Sequence, residues 1–354
     1  MPRRYAPLAC CAVLALLLPA VATADFVHVT GFEPAVALYA NSQPHTIVVV
    51  DGSVVDAVHG RTILVRVRYP REPAEAGLPL PIVVWVHGGD ADPNGRLGSQ
   101  QWSETFVRAG YIAVHFSVMP RNAAQREALW QEFDLDATQG TSCGFNVVYV
   151  DRPRDTIAIL DALPSLGVQI PALANAIDLS RVAVAGHSFG AYTTRAVAGA
   201  RLDLCPTGVG APAGWPYRDT AFRDPRPLAF VALSPQGPGR FAFFEQSFGV
   251  LDRPDFMATG AADSTPGESP ADRLRSFELI APRSKYLLYI DSPRASHASF
   301  NLTDAQSNDF DPWLQAHVLA FLDAYLRGRP DALEALHSGA LEGVSNGDAD
   351  LHWK

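Results

Sequence analysis

Short apolar runs alternate with amphipathic stretches along most of this chain, and this alternation predicts its architecture. Residues 82–86 (IVVWV) and 182–185 (VAVA) are uninterrupted apolar runs, which are typical of strands buried on both faces of a parallel sheet. Residues 46–50 and 61–69 predict two more strands, the second with the alternation of an edge hairpin. Further strands are predicted at residues 111–116, 228–233, 256–261 and 286–290.

Stretches with helical character lie between several of these runs, at residues 101–109, 152–163 and 313–326. Residues 119–150 show no clear periodicity, and a connection of this length suggests a functional loop. Strands that alternate with helices predict an α/β fold, in which a mostly parallel central sheet carries helices on both faces. We expect one domain.

The first 24 residues have the pattern of an export signal. Arg3 and Arg4 form a basic start, residues 8–18 are apolar, and Ala22-Thr23-Ala24 resembles a cleavage site. The apolar stretch is too short for a stable membrane span. We therefore expect cleavage near Ala24, a mature domain of residues 25–354, a secreted or periplasmic location and no stable membrane anchor.

Charge and cysteines refine this picture. Loss of Arg3 and Arg4 with the signal changes the formal net charge from −9 to −11. So acidic a protein is a poor partner for nucleic acid or anionic membranes, and we expect a monomer that binds neither.

Two cysteines, Cys143 and Cys205, remain in the chain after cleavage of the signal. This even pair predicts one disulfide in an oxidising compartment; two buried free thiols are the alternative.

The clearest chemical signature is the segment GHSFG, residues 186–190, which follows the strand at 182–185 and precedes an alanine-rich helical stretch. Strand, G-x-S-x-G and helix form the context of a nucleophile elbow. Such a tight turn strains its central residue and leaves no room for side chains two positions away, where Gly186 and Gly190 stand. Ser188 is therefore the candidate nucleophile.

A serine hydroxyl needs a histidine to take its proton and an acid to orient that histidine. His297 follows the predicted strand at 286–290, whereas His317 lies in a helix and His337 and His352 lie in the polar tail. His297 is therefore the candidate base.

The acid is expected on a loop after a strand, between the nucleophile and the base in the chain. Asp263 lies just past the predicted strand at 256–261 and precedes His297. Asp255, before that strand, and Asp291, after the next one, are the alternatives. Asp263 is the favoured candidate because its position leaves room for one helix and one strand before His297.

Acyl transfer also needs two backbone N–H groups for the developing oxyanion. Phe189, next to the nucleophile, is one candidate donor, and Gly89, in the turn after residues 82–86, is the other. We expect His87, in the same turn, to stabilise that loop. The sequence has no metal-binding motif, so we expect neither metal nor cofactor.

These segments resemble a known family. VAVAGHSFGAYT, RPRDTIAILDAL, ALSPQGPG and the HGG turn are similar to bacterial α/β-hydrolases of the platelet-activating-factor acetylhydrolase-like and predicted dienelactone hydrolase branch. The resemblance covers most of residues 60–327. It implies an α/β-hydrolase fold and a serine esterase without a cofactor, with Ser188 as nucleophile, His297 as base, and Gly89 and Phe189 as oxyanion donors.

The chain departs from this family at two points. Dienelactone hydrolases carry cysteine where Ser188 stands, and the animal acetylhydrolases place their acid after the strand that corresponds to residues 228–233. The turn here, Ala232-Leu233-Ser234, contains no acid, which favours Asp263.

The sequence leaves several functions open. The first is cleavage of small-molecule or lipid carboxylic esters through an acyl-enzyme. A serine peptidase or amidase would use the same three residues on the same fold. A looser resemblance to bacterial cutinases adds polyesters as substrates. A non-catalytic binding protein would require a damaged set of these residues, and the sequence shows no such damage.

Overall fold

A computed structural model of the protein describes residues 38–40, 45–303 and 309–354. All of these residues belong to one compact unit. The predicted signal peptide, residues 1–24, lies outside the described residues, as do the first residues of the predicted mature domain. Within the described ranges, no helix is both long and apolar enough to cross a membrane.

Nine strands of the described chain form one sheet. In chain order they are β1 (Ile47–Asp56), β2 (Arg61–Pro70), β3 (Leu80–Val86), β4 (Ile112–Phe116), β5 (Ile177–His187), β6 (Ala229–Leu233), β7 (Asp255–Gly260), β8 (Lys285–Ile290) and β9 (Ala349–Trp353). Across the sheet the order is β1-β2-β4-β3-β5-β6-β7-β8-β9. The six strands from β4 to β8 run parallel, and the strands at both edges pair antiparallel.

Ten α-helices accompany this sheet in the described chain. They are α1 (Gln100–Arg108), α2 (Ala123–Glu132), α3 (Ala137–Ser142), α4 (Val148–Ala162), α5 (Leu166–Gln169), α6 (Phe189–Ala198), α7 (Pro270–Leu279), α8 (Asp311–Leu326), α9 (Pro330–Leu336) and α10 (Ala340–Ser345).

Both faces of the sheet are covered, because successive side chains of a strand point to opposite sides. In β3, Val84 and Val86 pack in one apolar cluster with residues of α4 and α6. Val83 and Trp85 pack in a second cluster with residues of α1 and α8. The predicted α/β class is confirmed, with a mostly parallel sheet and helices on both faces.

The prediction of an irregular loop at residues 119–150 is wrong, because α2 and α3 lie within this segment. Each of these helices begins at a capping box, in which Asn122 and Gln125, or Asp136 and Gln139, exchange side-chain and backbone hydrogen bonds. Leu129 is the one buried residue of α2. A helix with so narrow an apolar face leaves little periodicity in the sequence.

Helix α4 begins at Val148, a full turn before the predicted start at residue 152. Pro153 lies inside this helix and cannot donate a hydrogen bond to the carbonyl of Tyr149. The hydroxyl of Tyr192, on α6, donates to that carbonyl instead, over 3.2 Å. The sequence places Pro153 in the first turn of a helix that starts at residue 152. In the structure, the contact from α6 allows this proline inside α4.

The polar tail after residue 326 also differs from expectation, because it forms α9, α10 and the edge strand β9. In β9, Ala349 and Leu351 are buried while their neighbours are exposed. His337, from the same tail, stacks on Tyr286 of β8 with ring centroids 5.8 Å apart.

The predicted disulfide is present between Cys143 and Cys205. Cys143 directly follows α3, and Cys205 lies in the segment after α6. The bond therefore ties the helical insertion between β4 and β5 to the connection between α6 and β6.

Candidate active site

The candidate residues lie on loops at the carboxyl ends of the parallel strands. The chain leaves β3 towards β4 on one side and returns to β5 on the other, so the strand order reverses beside β3. Open α/β sheets bind their ligands in the crevice that such a reversal creates. Ser188 follows β5, Asp263 lies just beyond β7, and His297 lies on the loop after β8.

Ser188 stands at a sharp turn between β5 and α6. Its φ of 56° and ψ of −120° place a non-glycine residue in a conformation that costs free energy. A Cβ at Gly190 would lie 2.0 Å from the carbonyl oxygen of Val86, and one at Gly186 would lie 2.6 Å from the backbone of Gly190. The two glycines are therefore a steric requirement of the turn.

The structure brings Ser188, His297 and Asp263 together in one hydrogen-bonded array. Nε2 of His297 lies 2.8 Å from Oγ of Ser188, and Nδ1 lies 2.7 Å from Oδ1 of Asp263. A parallel bridge between Ala262 and Ser296 aligns the acid's turn with the histidine's loop. With Nδ1–H donated to the carboxylate, Nε2 is free to accept the serine proton.

Asp263 is fully buried and surrounded by donors. Thr259 Oγ1 donates to Oδ2 over 2.8 Å, and the guanidinium of Arg273 lies 3.1 Å from Oδ1. Burial alone would raise the pKa of Asp263, but the hydrogen bond from His297 and the charge of Arg273 outweigh it and hold that pKa below its usual value. Arg273 also forms an ion pair with Glu268, at 3.0 Å.

The alternative acids lie elsewhere. Asp255, at the start of β7, pairs with Arg195 at 3.2 Å. Asp291 is exposed at the end of β8. Among the hydrogen bonds of the described residues, neither carboxylate contacts His297.

Two other histidines, His187 and His87, form hydrogen bonds with the backbone of the loops around the site. His187 donates from Nε2 to the carbonyl of His297 over 2.8 Å, with ring centroids 4.7 Å apart. Burial lowers the pKa of His187 to about 3, so this ring is neutral. His87 accepts the N–H of Val118 at Nε2 and donates from Nδ1 to the carbonyl of Gly88. His87 thus contacts the loop that it was expected to stabilise.

The two candidate oxyanion donors flank Ser188. Phe189 is the first residue of α6, and Gly89 adopts a φ of 72° in the turn after β3. Within the described residues, no acceptor is bonded to either N–H group. A Cβ at Gly88 would lie 3.3 Å from Cβ of Ser188, so this turn packs directly against the serine. Their role as oxyanion donors stays a prediction.

A cavity of about 430 Å³ opens beside Ser188. Glycine, serine, histidine, aspartate and asparagine supply its walls, with no aliphatic side chain and no phenylalanine, tyrosine or tryptophan among them. The lining residues are His87, Gly88, Gly89, Asp92, Asn94, Gly95, Gly98, Ser99, His187, Ser188, His297 and Asn301. Across the described ranges, no three potential metal ligands cluster.

Sequence reasoning missed two residues of this site. Arg273 lies on α7, a helix that was not predicted, and Arg152 lies on α4 beneath the turn after β3. One sequence pattern could have indicated both residues. In each case an arginine occupies a position of a helix that faces the sheet, where an apolar residue is expected.

A scan against models of protein families finds no match, and a search of curated proteins finds no significant relative.

Proposed function

We propose that this protein is an exported serine hydrolase of the α/β-hydrolase fold that cleaves carboxylic esters. The observation that carries the proposal is the hydrogen-bonded array of Ser188, His297 and Asp263 at a strained strand-to-helix turn. Nucleophile, base and orienting acid are the three parts that acyl transfer requires. The disulfide between Cys143 and Cys205 supports an oxidising location.

The reaction proceeds in two halves. Ser188 Oγ attacks the ester carbonyl carbon, its proton passes to Nε2 of His297, and the carbonyl oxygen becomes an oxyanion. Collapse of this intermediate expels the alcohol, which takes the proton from His297, and leaves an acyl group on Ser188. Water then attacks the acyl carbon and gives a proton to His297. That proton returns to Ser188 Oγ as the carboxylic acid leaves.

The cavity beside Ser188 favours short substrates. A long acyl chain gains affinity chiefly by burying its methylene groups against apolar walls, at about 0.8 kcal/mol each. No aliphatic side chain and no phenylalanine, tyrosine or tryptophan lines this cavity. Acetate and butyrate esters should therefore have a higher kcat/KM than palmitate esters.

Hydrolysis of p-nitrophenyl esters from acetate to palmitate tests the proposal, with purified Ser188→Ala alongside. We expect turnover in the wild type, highest for the short esters, and its loss in the variant with an unchanged circular dichroism spectrum. Turnover that persists in Ser188→Ala would remove the serine from the mechanism. Absence of turnover at every chain length would favour a peptidase or a binding protein.

A further inference from the structure

Arg152 is a fully buried arginine that forms no salt bridge with any carboxylate among the described residues. It lies on α4, and its side chain is 0% exposed. The acids before and after it in the helix, Asp151 and Asp155, pair with Arg61 and Arg121 instead. Burial lowers the pKa of Arg152 to about 9, which still leaves the guanidinium charged at neutral pH. A buried charge is costly, so its contacts must offset that cost.

The guanidinium of Arg152 binds the carbonyl oxygens of the turn after β3. One terminal nitrogen donates to His87 O over 2.8 Å, and the other donates to Gly89 O and to Asp90 O. The remaining carbonyl of the turn, Gly88 O, accepts from Nδ1 of His87 over 2.7 Å. Four successive carbonyls are thus held by two side chains.

Because these carbonyls are held in place, the directions of the N–H groups in the same peptide units are fixed as well. In a planar trans peptide the N–H points away from the C=O of the same unit. The N–H of Gly89 belongs to the peptide whose carbonyl is held by His87, and Arg152 holds the peptides on both sides of it. A turn rich in glycine would otherwise sample several orientations.

Arg152 also contacts the second candidate donor. Its guanidinium lies over the ring of Phe189, 4.6 Å from the centroid. Phe241 stacks on the same ring at 4.2 Å. One side chain therefore touches both segments that carry the candidate oxyanion donors.

We propose that Arg152 is a positioning residue for the oxyanion hole: it holds the His87–Asp90 turn and Phe189 so that the N–H groups of Gly89 and Phe189 converge on the oxyanion. This inference rests on the proposed ester hydrolysis. A lysine cannot replace the arginine, because one ammonium lacks the planar fork that reaches three carbonyls and covers a ring.

The test compares Arg152→Lys and Arg152→Met with Arg154→Met, a control on the same helix whose arginine pairs with Glu132. A fluorophosphonate probe counts the active sites, and kcat and KM for p-nitrophenyl acetate are measured per labelled site. Binding of benzeneboronic acid, which forms a tetrahedral adduct on serine, reports on the oxyanion hole.

For both Arg152 variants we expect kcat per site to fall on the order of 100-fold with little change in KM. Boronate affinity should fall in parallel, and Arg154→Met should behave like the wild type. A wild-type kcat per site in Arg152→Lys and Arg152→Met would overturn the inference, even if fewer molecules fold. A wild type that neither turns over esters nor reacts with the probe would instead overturn the proposed function, and this inference with it.

Discussion

Asp263 and His297 are each held by a neighbour outside the array itself. Arg273 contacts the Asp263 carboxylate and lies 3.3 Å from Nδ1 of His297, while His187 bonds the His297 carbonyl. These contacts restrict the imidazole to the orientation in which Nε2 faces Ser188. A site held in this way needs little reorganisation when charge develops in the transition state.

Asp263→Asn should lower kcat by about 10⁴-fold, because an amide in place of the carboxylate favours the wrong imidazole tautomer. Steady-state kinetics on p-nitrophenyl acetate measure this loss. Asp291→Asn is the control, since Asp291 is exposed and should be replaceable without effect. Near-normal turnover in Asp263→Asn would show that another group orients His297.

Removal of the Arg273 charge should shift the pH profile. The positive charge helps to lower the pKa of Asp263, so Arg273→Met should raise that pKa and move the acid limb of kcat/KM to higher pH. Arg275→Met is the matched control on α7, where the arginine is exposed and pairs with Glu245. If active Arg273→Met kept the acid limb of kcat/KM at the wild-type pH, the charge of Arg273 would not be what lowers the pKa of Asp263.

At the scale of elements, the junction between β5 and α6 sets the position of Ser188, the proposed nucleophile. Gly190→Ala would place a Cβ 2.0 Å from the backbone oxygen of Val86, which cannot move without shifting β3. We expect this variant to lose labelling of Ser188 by a fluorophosphonate probe. Gly52→Ala, where a Cβ meets nothing within 4 Å, is the control. Full labelling of Gly190→Ala would show that the turn tolerates a side chain.

The disulfide joins two elements that are 62 residues apart in the chain. A crosslink over this separation restricts the unfolded chain, for which the loop-entropy model gives about 4 kcal/mol. The double variant Cys143→Ala/Cys205→Ala should therefore have a free energy of unfolding that is lower by roughly 2–4 kcal/mol, measured with urea. Equal stability of the variant and the oxidised wild type would contradict this expectation.

At the scale of the whole molecule, the sheet collects residues from distant parts of the chain. Four loops, after β3, β5, β7 and β8, meet at one edge because these strands run parallel in one sheet, with β6 between β5 and β7. Two apolar clusters, one on each face, hold these strands in place. The site therefore depends on the integrity of the fold as a whole.

Acid should destabilise the fold before it protonates most carboxylates. Burial lowers the pKa values of four histidines: His87 (to about 4), His115, His187 (to about 3) and His317. An unfolded histidine has a pKa of about 6.5, so the unfolded chain binds more protons between that pH and the native pKa. The stability that these neutral histidines contribute is therefore fully present above about pH 6.5 and is lost as the pH falls below it.

Urea unfolding at pH 7.5 and pH 5.0 tests this prediction. Each such histidine contributes up to about 1.4 kcal/mol for each pH unit within the window. Burial raises the pKa of Asp155, to about 6, and of Glu268, and these two groups oppose the four histidines. A free energy of unfolding at pH 5.0 that equals or exceeds the value at pH 7.5 would contradict the prediction.

The sequence by itself determined the features that depend on neighbouring residues. The apolar runs of β3 and β5 identified buried parallel strands, since burial on both faces leaves a continuous hydrophobic pattern. The G-x-S-x-G segment identified the turn at Ser188, because a strand, a serine flanked by glycines and a helix follow one another in the chain. An even pair of cysteines after a predicted export signal was enough to predict the disulfide.

Only the tertiary structure decided which distant side chains meet. It brought Asp263 rather than Asp255 or Asp291 to His297, and it placed Arg152 under the turn after β3. It also allowed Pro153 inside α4 through the hydroxyl of Tyr192. These contacts join residues that are far apart in the chain, so their partners depend on the packing of whole elements. Local patterns of hydrophobicity carry no information about them.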